Sequence, residues 1–295
     1  MRYNWINQHQ MMYSIVVMCR VLRVSTSGYY DARCRPASEQ AHRRQRIHRD
    51  VQAVYDEHHG IYGSWKIAEV MAQRDELESV CRNTVARAMR ELGLKSKVRR
   101  AFVPTTTRAD PDKRPAANLL AQNFDAPAPN HKWVADITYL PTRAGWVYLA
   151  VVMDLFSRRI VGWAINDSLA SALVSEALRM AIESRRPDGR HLMHHSDRGC
   201  QYTSDDYRKT LATLGITCSM SRTGCCYDNA AMERFFWSLK HEWTGHTSLA
   251  DLHDARTSVF QYIELFYNRK RIHQALGYVS PEQYEADHAP AMKVA

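Results

Sequence analysis

The 295-residue sequence predicts a mixed α/β domain preceded by an all-α region. Its composition, with 45% apolar and 24% charged residues, is that of an ordinary globular protein. Short helical patterns fill the first hundred residues, whereas apolar runs typical of strands begin only after residue 130. The length favours more than one domain, since a typical domain has roughly 100 to 150 residues.

The all-α region opens with several helical patterns. Residues 12–30 predict one or two short helices, and residues 39–57 carry apolar side chains at helical spacing. A further helix follows, which we expect Ser64 to cap, and the next is expected to end at Gly93. Helices in this order are typical of a helix-turn-helix module.

The helix that ends at Gly93 has two different faces. A buried stripe is predicted at Val85, Ala88, Met89 and Leu92. On the opposite side, Asn83, Arg87 and Arg90 would present hydrogen-bond donors to a DNA groove. The basic track continues with predicted phosphate contacts at Lys95, Lys97, Arg99 and Arg100. The alternative is that these are ordinary exposed residues on a basic helix.

The net charge of +9 comes from 40 Lys and Arg against 31 Asp and Glu. Residues 1–118 hold 21 basic and 12 acidic side chains, whereas residues 119–295 hold 19 of each. Because the surplus is confined to the helical region, it favours a DNA-binding surface over a merely solvated one.

The sequence argues against a membrane or secreted protein. No apolar run approaches the ~18 residues of a membrane span, and the first residues do not form a secretory signal. The seven cysteines are odd in number and include no CxxC pair, which argues against a disulfide framework and, for Cys225 and Cys226, against zinc. We therefore expect a cytoplasmic protein with no membrane partner.

The pattern changes after residues 104–130, where five prolines predict a linker. Three strands are predicted next, at residues 132–140, 146–153 and 158–165. Helices and strands then alternate: helix 169–184, strand 191–195, helix 204–213, strand 216–220 and helix 227–243. This order predicts a mixed five-stranded sheet covered by helices, and residues 248–268 predict a further helix with a packed tail.

Three acidic residues stand out in this second region. Asp136 lies in the middle of the first strand, where an unpaired carboxylate would cost roughly several kcal/mol. Asp197 follows a strand at a turn, and Glu233 comes after 35 intervening residues, on helix 227–243. Converging carboxylates could bind Mg²⁺ or Mn²⁺, and a pair of such ions suits phosphodiester chemistry. Taken singly, each acidic residue also has a plain structural explanation. Spacing alone therefore does not decide between a shared metal site and three unrelated structural roles.

Helical geometry refines the position of Glu233. An apolar arc that should face the sheet is formed by Met232, Phe235, Phe236, Leu239 and Trp243. Asn229, Glu233 and Lys240 follow a neighbouring stripe. We therefore expect Glu233 to lie beside the core, near the strand ends, rather than in solvent.

Several linked motifs carry a family resemblance. In order, they are WVADITYL, VVMDLFSRRIVGW, HHSDRGCQYTS, GCCYDNAAMERFFWSLKHE and YNRKRIHQALGYVSPEQYE, preceded by MCRVLRVSTSGYY and HGIYGSWKIAEVM. Across residues 12–287 the chain resembles the downstream (OrfB) transposase of the IS-three insertion-sequence family. The resemblance implies an RNase H-like core of the retroviral-integrase type. It also implies a catalytic DDE triad of Asp136, Asp197 and Glu233, with Lys240 as a contact to donor DNA.

The resemblance also implies an activity, cofactors and partners. We expect metal-dependent cleavage of element ends and strand transfer by a 3′-hydroxyl without a covalent intermediate, using two Mg²⁺ ions (Mn²⁺ is possible). The expected partners are double-stranded DNA of the element ends and the target, further copies of the chain in a homo-oligomeric synaptic complex, and the upstream OrfA product. We expect the protein in the bacterial cytoplasm, associated with the nucleoid. Asn229, Asp154 and His195 are candidates to support the triad, although a backbone contact would equally explain His195.

Five parts are predicted: an N-terminal helical segment (1–38), a helix-turn-helix domain (39–103), a linker (104–130), a catalytic core (131–245) and a C-terminal helical extension (246–295). Two other functions remain open. A non-catalytic DNA-binding regulator of transposition would bind end DNA without metal-dependent cleavage. A non-specific RNase H-like nuclease would cleave RNA–DNA hybrids, which the helix-turn-helix makes a weaker alternative.

Overall fold

The computed structural model describes residues 2–34, 36, 38–97, 116–222 and 226–289. The N-terminal region of the described chain is all-α. Its helices are α1 (Arg2–His9), α2 (Ile15–Val21), α3 (Thr26–Cys34), α4 (Glu39–Glu57), α5 (Ser64–Gln73) and α6 (Arg82–Glu91). Helices α1 to α3 share a small core of their own, formed by Ile6, Met18, Cys19 and Tyr29.

Helices α4 to α6 pack around a common apolar core, in which Val51, Ile67 and Val85 are fully buried. Helix α6 ends as predicted: Gly93 has a φ of +71°, and the amide of the next residue bonds back into the last turn. The predicted cap of α5 is wrong. Gly63 has the extended backbone of an N-cap, whereas Ser64 is already the first helical residue.

The sheet has five strands: β1 (Lys132–Thr142), β2 (Gly145–Asp154), β3 (Ile160–Asn166), β4 (Met193–Ser196) and β5 (Thr217–Met220). Their order across the sheet is β3-β2-β1-β4-β5. The first three strands form an antiparallel meander, while β4 and β5 run parallel to β1. The sheet and the preceding helices confirm the fold class predicted from the sequence.

The remaining helices are α7 (Ser171–Arg185), α8 (Asp205–Thr213), α9 (Ala230–Ser238), α10 (Leu252–Phe260) and α11 (Pro281–Asp287). Helix α9 follows a short 3₁₀ segment at Cys226–Asn229 and continues as a π-helix over Leu239–Trp243. Helix α10 continues in the same way over Gln261–Tyr267. Within the described residues, no helix is long and apolar enough to cross a membrane.

The two faces of the sheet have separate cores. Helices α7 and α8 cover one face, where α7 lies so close to β3 that a Cβ on Gly162 would approach the carbonyl oxygen of Ala177 to 2.2 Å. Helices α9 and α10 cover the other face, and the core there is continuous with that of α4 to α6. Tyr62, just before α5, connects the two regions: its hydroxyl donates to the carbonyl of Lys270 and accepts from the amide of Ile272.

Candidate active site

The pairing of β1 with β4 determines where two of the predicted acidic residues lie. The last paired positions of these parallel strands are Val134 and His195. Asp136 and Asp197 each lie two residues beyond that pair, where the two strands separate: Asp136 is in the middle of β1, and Asp197 directly follows β4. Because side chains alternate along a strand, the geometry places both residues on the same side of the sheet. The structure thus brings the two aspartates side by side.

The electrostatic environment of Asp136 reflects this arrangement. Burial raises the pKa of the Asp136 carboxyl well above its usual value, and the charges of Asp197 and Glu233 raise it further. A hydrogen bond from the amide of Ile137 and the charge of Lys240 act in the opposite direction. Two other carboxylates therefore lie close enough to Asp136 to disfavour its ionised form.

Glu233 differs from its predicted position. Its side chain is exposed, at the margin of the site, although partial burial raises the pKa of its carboxyl. The apolar arc of α9 faces the sheet as predicted, but α9 begins only at Ala230, so Glu233 lies in the first turn, beyond the edge of the core. Within the described ranges, no three His, Cys, Asp or Glu side chains are arranged closely enough to hold a metal ion.

Lys240 lies beside the acidic residues. Its ammonium nitrogen is 4.7 Å from the centre of the Tyr139 ring, a cation–π contact. Burial lowers the pKa of Lys240, while the charge of Asp136 raises it. Tyr139, three residues after Asp136 on β1, was not predicted as a site residue. Its only signal in the sequence was an aromatic residue near the end of the acid-bearing strand.

Asn229 adjoins the acidic residues through β1. Its side-chain amide donates to the carbonyl oxygen of Ala135, directly before Asp136. The side chain is only 5% exposed, and its oxygen has no hydrogen-bond partner among the residues that the structure describes. The structure therefore brings Asn229 next to the acid-bearing strand.

The other two candidates belong to separate hydrogen-bond networks. Asp154 is fully buried and accepts from the backbone amide of Asn130 and from the guanidinium of Arg185. The ring nitrogens of His195 bond to the hydroxyls of Ser219 and Ser221 on the β5 side, and burial lowers the pKa of the imidazole to about 4. His195 is thus held by two hydroxyl side chains, and its ring also contacts the backbone of Asp228.

Sequence reasoning also missed Asp228, which lies immediately before Asn229. This buried carboxylate accepts from Asn118 and Gln122 in the segment before β1, and from the guanidinium of Arg222. Asp228 thus connects the segment before β1 and the residues just after β5 to the start of α9, the helix that carries Glu233. The adjacent motif residues were the only signal that could have identified it.

The helix-turn-helix residues are presented as predicted. Asn83, Arg87 and Arg90 are all exposed on α6, whereas Val85, Ala88 and Met89 are buried behind them. Lys95 and Lys97 are also exposed, and the backbone of this segment is bonded to the hydroxyl of Tyr55 and the carbonyl of Gly60. Arg99 and Arg100 lie outside the described residues.

Comparison with protein families agrees with this arrangement. Residues 42–102 match the HTH-like domain family. Residues 126–226 and residues 214–281 match two families described as integrase core domains. The first match covers β1 to β5, including Asp136 and Asp197, and the last includes α9 with Glu233.

The chain is also similar over nearly its full length to proteins of known insertion sequences. It is 42% identical to transposase InsF for insertion sequence IS3A of Escherichia coli strain K12, over 97% of this chain and 98% of the relative. It is 39% identical to a 31 kDa protein of insertion element IS600 of Shigella sonnei, over 90% of this chain and 97% of the relative.

Among solved structures, similarity extends to a chain of the simian T-cell lymphotropic virus intasome. That match has a TM-score of 0.47 and 15% identity, and covers 82% of this chain and 76% of the other. The integrase core match confirms the RNase H-like class of the sheet domain. With 42% identity over 97% of its length, the chain belongs to the IS-three family of DDE-type DNA transposases.

Proposed function

We propose that Asp136, Asp197 and Glu233 bind two divalent metal ions, Mg²⁺ or Mn²⁺, and that this site cleaves and joins DNA at the ends of an insertion sequence. The register of β1 and β4 supports the proposal most directly, because it sets two carboxylates side by side at the point where these strands separate. All three side chains offer oxygen ligands, which hard cations prefer. A bound cation would also relieve the mutual repulsion that raises the pKa of Asp136.

The chemistry divides between the ions and the chain. When bound, the ions lower the pKa of an attacking water or 3′-hydroxyl and stabilise the charge that develops on phosphorus. Lys240, next to the acidic residues, would hold a phosphate oxygen of the donor strand as a point charge. Asn229 would hold the β1 backbone at Ala135 and so limit the movement of the adjacent Asp136.

The helix-turn-helix would bind DNA through α6. Asn83, Arg87 and Arg90 lie on its exposed face, where they would read base edges in the major groove. Lys95 and Lys97 follow the helix and would contact phosphates. We also propose the predicted division into five parts, in which residues 104–130 connect this module to the catalytic core.

We further propose that the active form is a homo-oligomeric synaptic complex, because two element ends have to be joined. The upstream OrfA product is the proposed second partner, by fusion or association. Sedimentation of the chain with and without end DNA, and with and without that product, measures both assemblies directly.

The test of the proposed active site is Asp136→Asn, assayed for strand transfer with Mg²⁺ and a duplex that carries the element end. The substitution keeps the size of the side chain but removes its charge, so strand transfer should fall below detection while DNA binding persists. The matched control is Asp167→Asn, an exposed aspartate just after β3, which should retain activity.

Each result of this assay leads to a different conclusion. Strand transfer by Asp136→Asn at the rate of the unmodified chain would refute the proposed role of the carboxylate. An unmodified chain that binds end DNA but cleaves nothing in Mg²⁺ would instead be a regulator. Preferential cleavage of RNA–DNA hybrids would indicate a nuclease.

A further inference from the structure

Trp146 is an exposed aromatic residue next to the acidic site. It lies at the start of β2, in the hairpin that joins β2 to the acid-bearing strand β1, and its side chain is 55% exposed. A single exposed apolar residue requires no explanation by itself. What distinguishes Trp146 is the set of side chains around it.

Two side-chain contacts join Trp146 to Lys240, whose charge interacts with that of Asp136. The edge of the Trp146 ring meets the Tyr139 ring with centres 4.9 Å apart and planes at 84°. The ammonium of Lys240 lies over the same Tyr139 ring. The negative charge of Asp136 in turn favours the charged form of Lys240. An exposed indole, a tyrosine ring and a cation are therefore in contact, and the cation interacts electrostatically with the Asp136 carboxylate.

The hairpin that carries Trp146 is held in place. The backbone amides of Arg143 and Ala144 donate to the carbonyl oxygens of Leu249 and Ala250, in the segment before α10. Within the turn, the hydroxyl of Thr142 donates to the carbonyl of Gly145. Trp146 is thus presented on a fixed support, which reduces the entropy lost when a ligand stacks on it.

We propose that Trp146 is a stacking platform for a DNA base near the bond that is cut and joined. This inference rests on the proposed function, which places the reacting phosphate at Asp136. Every base has a π-face, so an exposed indole binds bases without regard to sequence. Lys240 and the exposed Arg143 supply positive charge on either side for the phosphates of the same strand.

The geometry also indicates which base is bound. Trp146 packs on Tyr139 and pairs across the hairpin with Pro141; these residues lie three and five positions from Asp136, or about 10 to 17 Å at about 3.4 Å per strand residue. Successive nucleotides of a duplex strand rise by about 3.4 Å. The stacked base should therefore lie within about five nucleotides of the reacting phosphate.

The test uses the full chain and a 30-base-pair duplex of the element end with a two-nucleotide single-stranded overhang. 2-Aminopurine replaces each of the roughly five bases nearest the reacting phosphate in turn, and Ca²⁺ replaces Mg²⁺ so that binding is measured without turnover. Stacking on an indole quenches the fluorescence of this base. We expect quenching at one position, its loss in Trp146→Ala and its partial recovery in Trp146→Phe.

Strand transfer in Mg²⁺ provides the second measurement. If base–aromatic stacking is lost, the rate of strand transfer by Trp146→Ala should fall by about 5- to 150-fold. The matched control is Phe260→Ala, an exposed aromatic residue at the end of α10, which should behave as the unmodified chain does. Thermal unfolding of each variant verifies that the exposed side chain can be removed without loss of the fold.

Unchanged quenching and unchanged strand transfer in Trp146→Ala would overturn the proposal. A change in oligomeric state without a change in quenching would overturn it as well, since Trp146 would then bind a second copy of the chain. Failure of the proposed function is a separate result: Asp136→Asn would keep strand transfer, whatever Trp146→Ala does to the fluorescence.

Discussion

Replacing Glu242 with Gln should leave the guanidinium of Arg271 buried without its counter-charge. The two side chains are 7% and 6% exposed, and Glu242 accepts from Nε and Nη2 of Arg271 at 2.7 Å each. Arg271 also donates to the hydroxyl of Ser238 in the last turn of α9. The ion pair therefore joins the C-terminal segment to the helix that carries Glu233 and continues to Lys240.

The expected loss of stability follows from this burial. Removing one partner of a buried ion pair costs about 3–5 kcal/mol, because the remaining charge is desolvated and unpaired. With a urea dependence of about 2–3 kcal/mol per M, the unfolding midpoint of Glu242→Gln should fall by about 1–2 M. The measurement is urea unfolding of the full chain, followed by tryptophan fluorescence and by circular dichroism.

An exposed ion pair provides the matched control. Arg179 and Glu183 form an i,i+4 pair at 2.9 Å, with exposures of 66% and 62%. Glu183→Gln should change the unfolding free energy by only about 0.5 kcal/mol or less. Replacing both Glu242 and Arg271 with Met should recover most of the stability. The reasoning is refuted if Glu242→Gln shifts the midpoint no further than Glu183→Gln does.

Three further predictions follow from other contacts. Burial lowers the pKa of His195 from about 6.5 in the unfolded chain to about 4 in the folded chain. The stability that depends on its neutral form is therefore present above pH 6.5 and is lost as the pH falls towards 4. Urea midpoints between pH 7 and 4 measure this loss, which should be smaller in His195→Gln. Gly162→Ala should destabilise the chain by about 1–3 kcal/mol or more, because its Cβ would approach the carbonyl oxygen of Ala177 to 2.2 Å; an unchanged melting temperature would contradict this. Lys97→Ala should weaken DNA binding uniformly across sequences and reduce the slope of log K against log [salt] by about 1. Arg87→Ala should instead weaken binding by about 1–3 kcal/mol and relax the preference at one base pair. Titrations with DNA at several salt concentrations separate the two effects.

Several elements could be predicted because their signals are local. The stripe of Val85, Ala88 and Met89 on α6 repeats at helical spacing, and the structure buries it as predicted. The apolar arc of α9 faces the sheet for the same reason. Glu233 was placed too deeply, because helical periodicity indicates a direction around the helix but not where the helix begins relative to the sheet edge.

The supporting residues depended on partners that are distant in sequence. Asp154 was expected near the acidic residues, but Arg185 of α7 and the amide of Asn130 hold it elsewhere. His195 has two hydroxyl partners, one on β5 and one just beyond it, and no spacing rule predicts them. A buried polar side chain takes whatever hydrogen-bond partner the packing supplies, so its role becomes visible only in the folded chain.

The sequence by itself determined which residues were available: a basic helical region, a neutral α/β region and three carboxylates on separate elements. Periodicity and charge are local properties and can be read from the linear chain. Only the tertiary structure decided that Asp136 and Asp197 lie two residues beyond one shared position of β1 and β4, and that Trp146 and Lys240 meet at Tyr139. Those neighbours result from non-local strand pairing and from the burial of both sheet faces, which selects one register out of many.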